Sequence, residues 1–249
     1  MEQKELQEKY YSTDKEHSYL RYRAEDAYAK NLCKYLRDFT DISKDDEILE
    51  IGAGAGRFTI HLLREGFNVT CVDISEAQLW RLRKDAKKAG LAEDRLKTYC
   101  MSIEDIAARV EGRYDVIVGF FILHHLDTDN IKLYFSKFRK LFKDKKKICF
   151  LEPNRLNVLF ILQTFFQKDM DFHLEKGLLK LSRRFLKKSL ESACYAAPRF
   201  KNFGFFPPQI INRFPSVLKF ERMLERVPIL NKFLPFLLIA SESIPGKEL

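Results

Sequence analysis

The run Ile48-Leu49-Glu50-Ile51-Gly52-Ala53-Gly54-Ala55-Gly56 constrains this chain more than any other stretch. A short apolar segment, too short for a helix, breaks into glycines at alternate positions, and a helix-like run from Arg57 to Glu65 follows at once. The pattern predicts strand, tight turn, helix. A side chain at Gly52 or Gly54 would hold a ligand away from the backbone, and glycine adopts positive φ without steric cost. The following helix would direct free N–H groups and a positive dipole end at whatever lies over the turn. Such a turn also occurs in dinucleotide folds and in plain structural turns. The next apolar run, Phe67 to Val72, ends in Asp73. Its carboxylate is placed either to accept two hydrogen bonds from a ribose diol or to start the following helix.

Periodicity fills in the rest of the first half. Tyr28, Leu32, Tyr35, Leu36 and Phe39 recur at helical spacing, which predicts a helix from Ala24 to about Asp38 with one face on a sheet. Phe58, Leu62 and Leu63 give the helix after the glycines an apolar face, and Gly66 is placed to end it. Ser75 with Gln78 forms a capping box for a basic helix that Gly90 ends, with Trp80, Leu82 and Ala86 expected to pack. Strands are predicted at Leu96–Met101, at Tyr114–Phe121 and, after a basic helix from Asn130 to Phe142, at Lys147–Leu151. The run Tyr114–Phe121 is nearly all apolar, as a strand covered on both faces should be.

Four segments, LEIGAGAGRFT (Leu49–Thr59), VTCVDIS (Val69–Ser75), YDVIVGFFILHHL (Tyr114–Leu126) and KKICFLEPN (Lys146–Asn154), resemble in order and spacing motifs I, II, IV and V of class I S-adenosylmethionine (SAM) dependent methyltransferases. The resemblance covers roughly Asp46 to Asn154. It implies an α/β fold, Rossmann-like, with a seven-stranded mostly parallel sheet, helices on both faces and an antiparallel last strand. It also implies SAM as cofactor, S-adenosylhomocysteine as product, and no metal. Carried onto matching positions, it assigns Glu50 to the methionine end, Gly52 and Gly54 to backbone approach, Asp73 to the ribose diol, Ile74 to the adenine face, Ser102 and Ile103 to the adenine edge, and Phe120 to the wall after strand four. The turn Ser102–Asp105 departs from the family's pattern, in which an acid precedes the small residue. Met101 and Ser102 stand there instead, so the adenine contact falls to Ser102, to backbone at Ile103 or to the offset Glu104.

His124 and His125 follow strand four, at the mouth where open α/β sheets bind ligands. An imidazole titrates near neutrality, which makes either a candidate general base. In the family one histidine at this position commonly serves packing, so both roles stand open. Glu152 and Asn154 are expected to face the same mouth and orient substrate, and Arg57 to pair with an acid. No Asn-Pro-Pro-Tyr type sequence follows strand four, which argues against methylation of amino groups by that arrangement.

At 249 residues the expected organisation is a single methyltransferase domain: a core over about 24–153, an N-terminal cover over 1–23, a helical lid over about 154–195, and C-terminal strands and loops over 196–249. The cover reads equally as a solvated leading helix. The net charge of +9 is local, with 12 Lys and four Arg against five acids between Ile131 and Leu190. There Leu174, Leu178, Leu181 and Phe185 form a stripe backed by Lys180, Arg184, Lys187 and Lys188. Either this is a helix resting on an anionic membrane surface or gripping anionic substrate, or it packs on the sheet with its cations in water. Cys194–Phe206 and Phe233–Ser241 are predicted as the last strands, with prolines at 207, 208, 215, 228 and 235 imposing loops or short helices around them.

Cys33, Cys71, Cys100, Cys149 and Cys194 are scattered with no CxxC pair, as in a cytoplasmic chain of reduced thiols. The charged start carries no signal region, and apolar runs such as Leu156–Phe166 are too short to span a bilayer, so contact with a membrane would be peripheral. The phenylalanines after residue 158 beside the basic stretch favour a small-molecule acceptor that is apolar or lipid-linked, methylated on oxygen. The competing readings are an RNA methyltransferase using the basic 131–190 stretch, an NAD-dependent oxidoreductase sharing only the turn and the acid, and a catalytically silent SAM-binding protein.

Overall fold

The apolar runs read from the sequence pair edge to edge. The computed structural model describes residues 26–91, 93–109, 114–160 and 175–245. Five parallel strands, β1 (Glu47–Ile51), β2 (Asn68–Asp73), β3 (Leu96–Cys100), β4 (Tyr114–Phe120) and β5 (Phe142–Pro153), carry the first half. The sheet has seven strands in the order β3-β2-β1-β4-β5-β7-β6. Only β7 (Phe236–Glu242) is antiparallel, inserted between β5 and β6 (Arg199–Phe203). The expected sheet is therefore present, including its reversed last strand. The order reverses between β1 and β4, and a ligand crevice belongs at the carboxyl ends of those strands.

Alternation along each strand splits the core into two layers. Ile48, Val69, Cys71, Val116, Val118, Leu151 and Leu238 face one side, where α1 (Ala27–Thr40), α2 (Thr59–Arg64) and α3 (Glu76–Lys88) pack. Leu49, Ile51, Val72, Ile117, Ile148, Phe150 and Ile239 face the other, against α4 (Ile106–Arg109), α5 (Ile131–Arg139) and α6 (Arg183–Ser192). Asp26 caps α1 by accepting the Ala29 N–H at 3.0 Å, and Ser75 caps α3. Short helices α7 (Pro208–Arg213), α8 (Val217–Leu224) and α9 (Pro228–Asn231) fill the proline-punctuated stretch between β6 and β7.

Three local expectations are corrected. Helix α2 begins at Thr59 rather than Arg57, because the glycines close two successive turns first. Trp80 does not pack: Leu79, Leu82 and Ala86 occupy the buried face of α3, leaving the indole 53% exposed under the Lys84 ammonium. The basic stripe after residue 174 is not one helix but a 3-10 turn (Lys176–Lys180) and then α6, which Ser182 caps. Leu178 and Leu181 are buried, as are Leu186 and Leu190 of α6; Leu181, Leu186 and Leu190 lie in the second core layer, while Lys187 and Lys188 face solvent. Most of the apolar side of this element thus packs on the sheet, while Leu179 is exposed. The predicted cover over 1–23 and lid residues 161–174 lie outside the described residues. Among the described residues no helix is long and apolar enough to cross a membrane, and all five cysteines are free.

Candidate active site

Pairing of Ile51 with Val72 sets the ends of β1 and β2 side by side and brings the glycine turn against Asp73. The Gly54 N–H donates to Asp73 Oδ2 at 2.8 Å, and the Ser75 N–H donates to Oδ1 at 2.9 Å. Burial raises the Asp73 carboxyl above its ordinary value, and the Ser75 and Gly54 amides work against that rise. A carboxylate offers about four acceptor positions, so a diol can share the two oxygens with these amides.

The three glycines do different work. Gly52 (φ +70°) leaves room for Ile122, whose Cδ1 would lie 2.5 Å from a Cβ there, and Gly56 (φ +80°) leaves room for Leu82. Of the three, Gly54 (φ +53°) faces open space among the described residues, none of which comes within 4 Å of a Cβ there. Close backbone approach is therefore available at Gly54, while Gly52 is needed for packing.

Glu50 lies beneath the turn, 1% exposed, because its place on β1 directs it to the α2 side. It accepts the Thr59 hydroxyl at 2.7 Å, and the Cys71 thiol lies 3.9 Å away. Burial, with the Asp73 charge adding to it, pushes the Glu50 carboxyl up to about 8 against the pull of the Thr59 hydrogen bond. This arrangement fastens the turn to α2.

On the side where the resemblance places adenine, Ile74 is half-buried just beyond Asp73. The Ser102 hydroxyl turns to Asp105 at 3.4 Å, and the Ile103 side chain enters the second core layer, which leaves its main chain as the group able to meet a base edge. Glu104 is drawn to α5, where Tyr134 donates to its carboxylate at 2.9 Å and Lys137 to its carbonyl at 2.6 Å.

After β4 the chain turns sharply. Phe121 holds φ +56°, a left-handed conformation that costs a bulky residue on the order of 1–3 kcal/mol. The turn aims the Ile122 and Leu123 N–H groups at Glu152 Oε1, at 2.9 and 2.8 Å. His124 Nδ1 lies 2.5 Å from Glu152 Oε2, and its Nε2 lies 3.0 Å from Glu175 Oε2. Burial alone would lower the His124 pKa, but the Glu152 and then the Glu175 carboxylate outweigh it and push it up to about 10. The two carboxylates thus favour the charged form of His124, a form that accepts no proton and so speaks against a general-base role.

His125 lies beside it with ring centres 4.0 Å apart and the planes tilted by 44°, its Nε2 3.9 Å from Glu175 Oε1. The ligand-type atoms of His124, His125 and Glu175 lie within 4.8 Å of one another, a closeness these ion pairs account for. Gly177 makes the assembly feasible, since a Cβ there would fall 2.0 Å from the His124 carbonyl oxygen.

Glu152 and Asn154 are both buried and held by partners within the chain. Glu152 is consumed by the turn, and Asn154 Nδ2 donates to the Lys232 and Leu234 carbonyls at 2.9 and 2.8 Å, tying the chain before β7 to the end of β5. Arg57 pairs with Asp26 at 2.8 Å, as expected of it.

Sequence reasoning singled out Phe120 but missed the wall it belongs to. Phe120 stacks on Phe58 at 4.3 Å, Phe121 lies 5.9 Å from Phe58 and 5.6 Å from Phe236, and Phe236 reaches Phe203 at 5.5 Å. These rings come from the start of α2, the end of β4, β7 and β6, and only the sheet order unites them. The adjacent pair Phe120-Phe121 was the available signal.

Residues 48–145 match the family model of a methyltransferase domain. The ubiquinone biosynthesis O-methyltransferase of Rickettsia bellii is 26% identical over 129 residues, 52% of this chain and 50% of that one. The protein of the same name from Erwinia tasmaniensis is 31% identical over 109 residues, 44% of this chain and 43% of that one. The chain thus spans about half or less of the length of these curated relatives. Among solved structures, magnesium protoporphyrin IX methyltransferase from Synechocystis with bound SAM matches with a TM-score of 0.62 over 98% of both chains at 11% identity, a likeness of fold.

Proposed function

We propose that this chain, with its methyltransferase-domain match over residues 48–145 and its Rossmann-like sheet, is a class I SAM-dependent methyltransferase that moves a methyl group to an oxygen of an apolar or lipid-linked small molecule. The observation that carries the cofactor part is the open space over Gly54 beside the Asp73 carboxylate, which fits a nucleoside whose diol shares that carboxylate. When bound, SAM supplies an electrophilic methyl carried on a sulfonium.

The rest falls to the chain. Gly54 and Asp73 orient the nucleoside, while Phe58, Phe120, Phe121 and Phe236 line an apolar flank that keeps water from the reacting groups. Positioning of this kind reaches effective molarities of about 10⁵ M or more in favourable systems. His124 is engaged by Glu152 and Glu175, which favour its charged form, and this supports an acceptor oxygen that is already acidic, a carboxylate or an ionised phenol, since such a group needs no strong base. The O-methyltransferase names of the relatives support oxygen as the acceptor atom.

The test incubates the protein with methyl-labelled SAM and a panel of long-chain phenols, quinone precursors and isoprenoid carboxylic acids. Label should enter the organic extract, base-labile if an ester forms and base-stable if an ether forms. Label found only in added RNA, and lost as salt is raised, would replace this reading with the nucleic-acid one.

A further inference from the structure

We propose that the outer face of α7, α8 and α9, residues 208–233, docks this protein onto an anionic lipid bilayer. This stretch leaves Phe214, Phe220, Met223, Ile229, Leu230 and Phe233 exposed, Ile229 by 75% and Phe214 by 54%. Large apolar side chains gathered on short consecutive helices mark an interaction surface.

The charges around them are sorted. All five cations of the stretch, Arg213, Lys219, Arg222, Arg226 and Lys232, are exposed. Both acids turn inward: Glu221 accepts the Phe205 and Phe206 N–H groups at 2.8 and 2.9 Å, and Glu225 accepts the Tyr35 hydroxyl at 2.7 Å and the Gly204 N–H at 2.9 Å. The exposed side chains of this stretch therefore carry positive charge and no negative charge among the apolar ones.

An anionic headgroup layer over an acyl interior complements both properties. A second copy of this chain would set five cations against five, and a nucleic acid offers nothing to Met223, Ile229 and Leu230. The contrast with α6 sharpens the choice, because α6 exposes cations while Leu186 and Leu190 are buried and Phe185 packs partly against the core layer.

The face is continuous with the candidate site. Phe206, Val217 and Leu218 pack from it onto the core layer that contains Phe120 and Phe236. On the acceptor reading above, a lipid-linked substrate would pass from the bilayer to that aromatic wall. The route rests on that reading, whereas the docking is measured without turnover and stands or falls separately.

The experiment floats the full chain with vesicles of phosphatidylcholine alone or mixed with phosphatidylglycerol. Partition should be at least about tenfold stronger on the anionic vesicles and should weaken with salt. Arg213→Glu with Arg222→Glu, and separately Phe214→Ser with Ile229→Asp, should each reduce it about tenfold or more with SAM affinity unchanged. Lys187→Glu with Lys188→Glu on α6 should leave it intact. Should a variant lose its near-UV circular dichroism, Lys219→Glu with Lys232→Glu decides in its place. Equal behaviour toward both vesicle types, loss confined to the α6 variant, or conversion of a dimer to a monomer by Ile229→Asp with flotation unaltered would each overturn the proposal.

Discussion

Asp73 and Gly54 meet across 2.8 Å with open space above them, so changes at these two residues should act on binding before they act on folding. Asp73→Ala is expected to weaken SAM at least tenfold by calorimetry, about 1.4 kcal/mol. Gly54→Val adds a Cβ at φ +53° where no described atom lies within 4 Å. It should keep the fold at a cost of about 1–3 kcal/mol and abolish measurable SAM binding. Gly56→Ala is the converse, because its Cβ would press on Leu82, and it should lower stability by about 1–3 kcal/mol. His124 gives a charge-based prediction. Its folded pKa of about 10 stands above the ordinary 6.5, so its stabilisation is complete below about pH 6.5 and is lost as pH climbs toward 10. Glu50, raised from 4.5 to about 8, favours the folded state most when protonated and adds a loss of the same sign between those values. Urea midpoints should therefore fall steadily from pH 6.5 to 10. His124→Ala should cost about 3–5 kcal/mol by leaving buried carboxylates unpaired, flatten that decline, and leave the shape of the activity profile against pH unaltered. A profile that changes shape would return His124 to the chemistry.

At the scale of elements, the 3-10 segment Lys176–Lys180 reaches the histidine turn because Gly177 lacks a side chain, and it follows Glu175, which faces both imidazoles. Gly177→Ala should lift the segment off, leave His124 with the single partner Glu152, and lower its pKa, which a histidine-resolved NMR titration would read. Asn154 plays the matching part at the other end of β5. Its side-chain amide holds the Lys232 and Leu234 carbonyls, and Asn157 Nδ2 holds that of Phe233 at 2.7 Å. Asn154→Leu should cost about 1–3 kcal/mol for the orphaned carbonyls and speed amide hydrogen exchange through residues 228–235. Strands and caps were legible in the sequence because each is written locally: the run Tyr114–Phe120, Ser75 before α3, the prolines around α7 and α9. The fate of the basic stripe was not, since a helix packed on a sheet and a helix lying on a membrane share one periodicity and differ only in what covers the apolar side.

For the molecule as a whole, the core layers on the two sides of one sheet should let a ligand at the glycine turn stabilise the entire fold. S-adenosylhomocysteine at one hundred times its Kd should add about 2.7 kcal/mol and raise Tm by roughly 5–10 °C, with no shift from NAD. The sequence by itself determined the α/β class, the strand-turn-helix around Gly54 and the acid that follows β2, because a run of apolar residues, a set of glycines and a terminal carboxylate act through their immediate neighbours. It also marked His124, His125, Glu152 and Asn154 as a group at one edge of the sheet. Their roles were decided by tertiary structure alone. Glu175 comes from a distant segment to close on His124, and the chain before β7 comes back to claim Asn154. A side chain's charge and direction depend on what burial and partners surround it, and partners so far apart in the chain meet only once the sheet order β4-β5-β7 is in place.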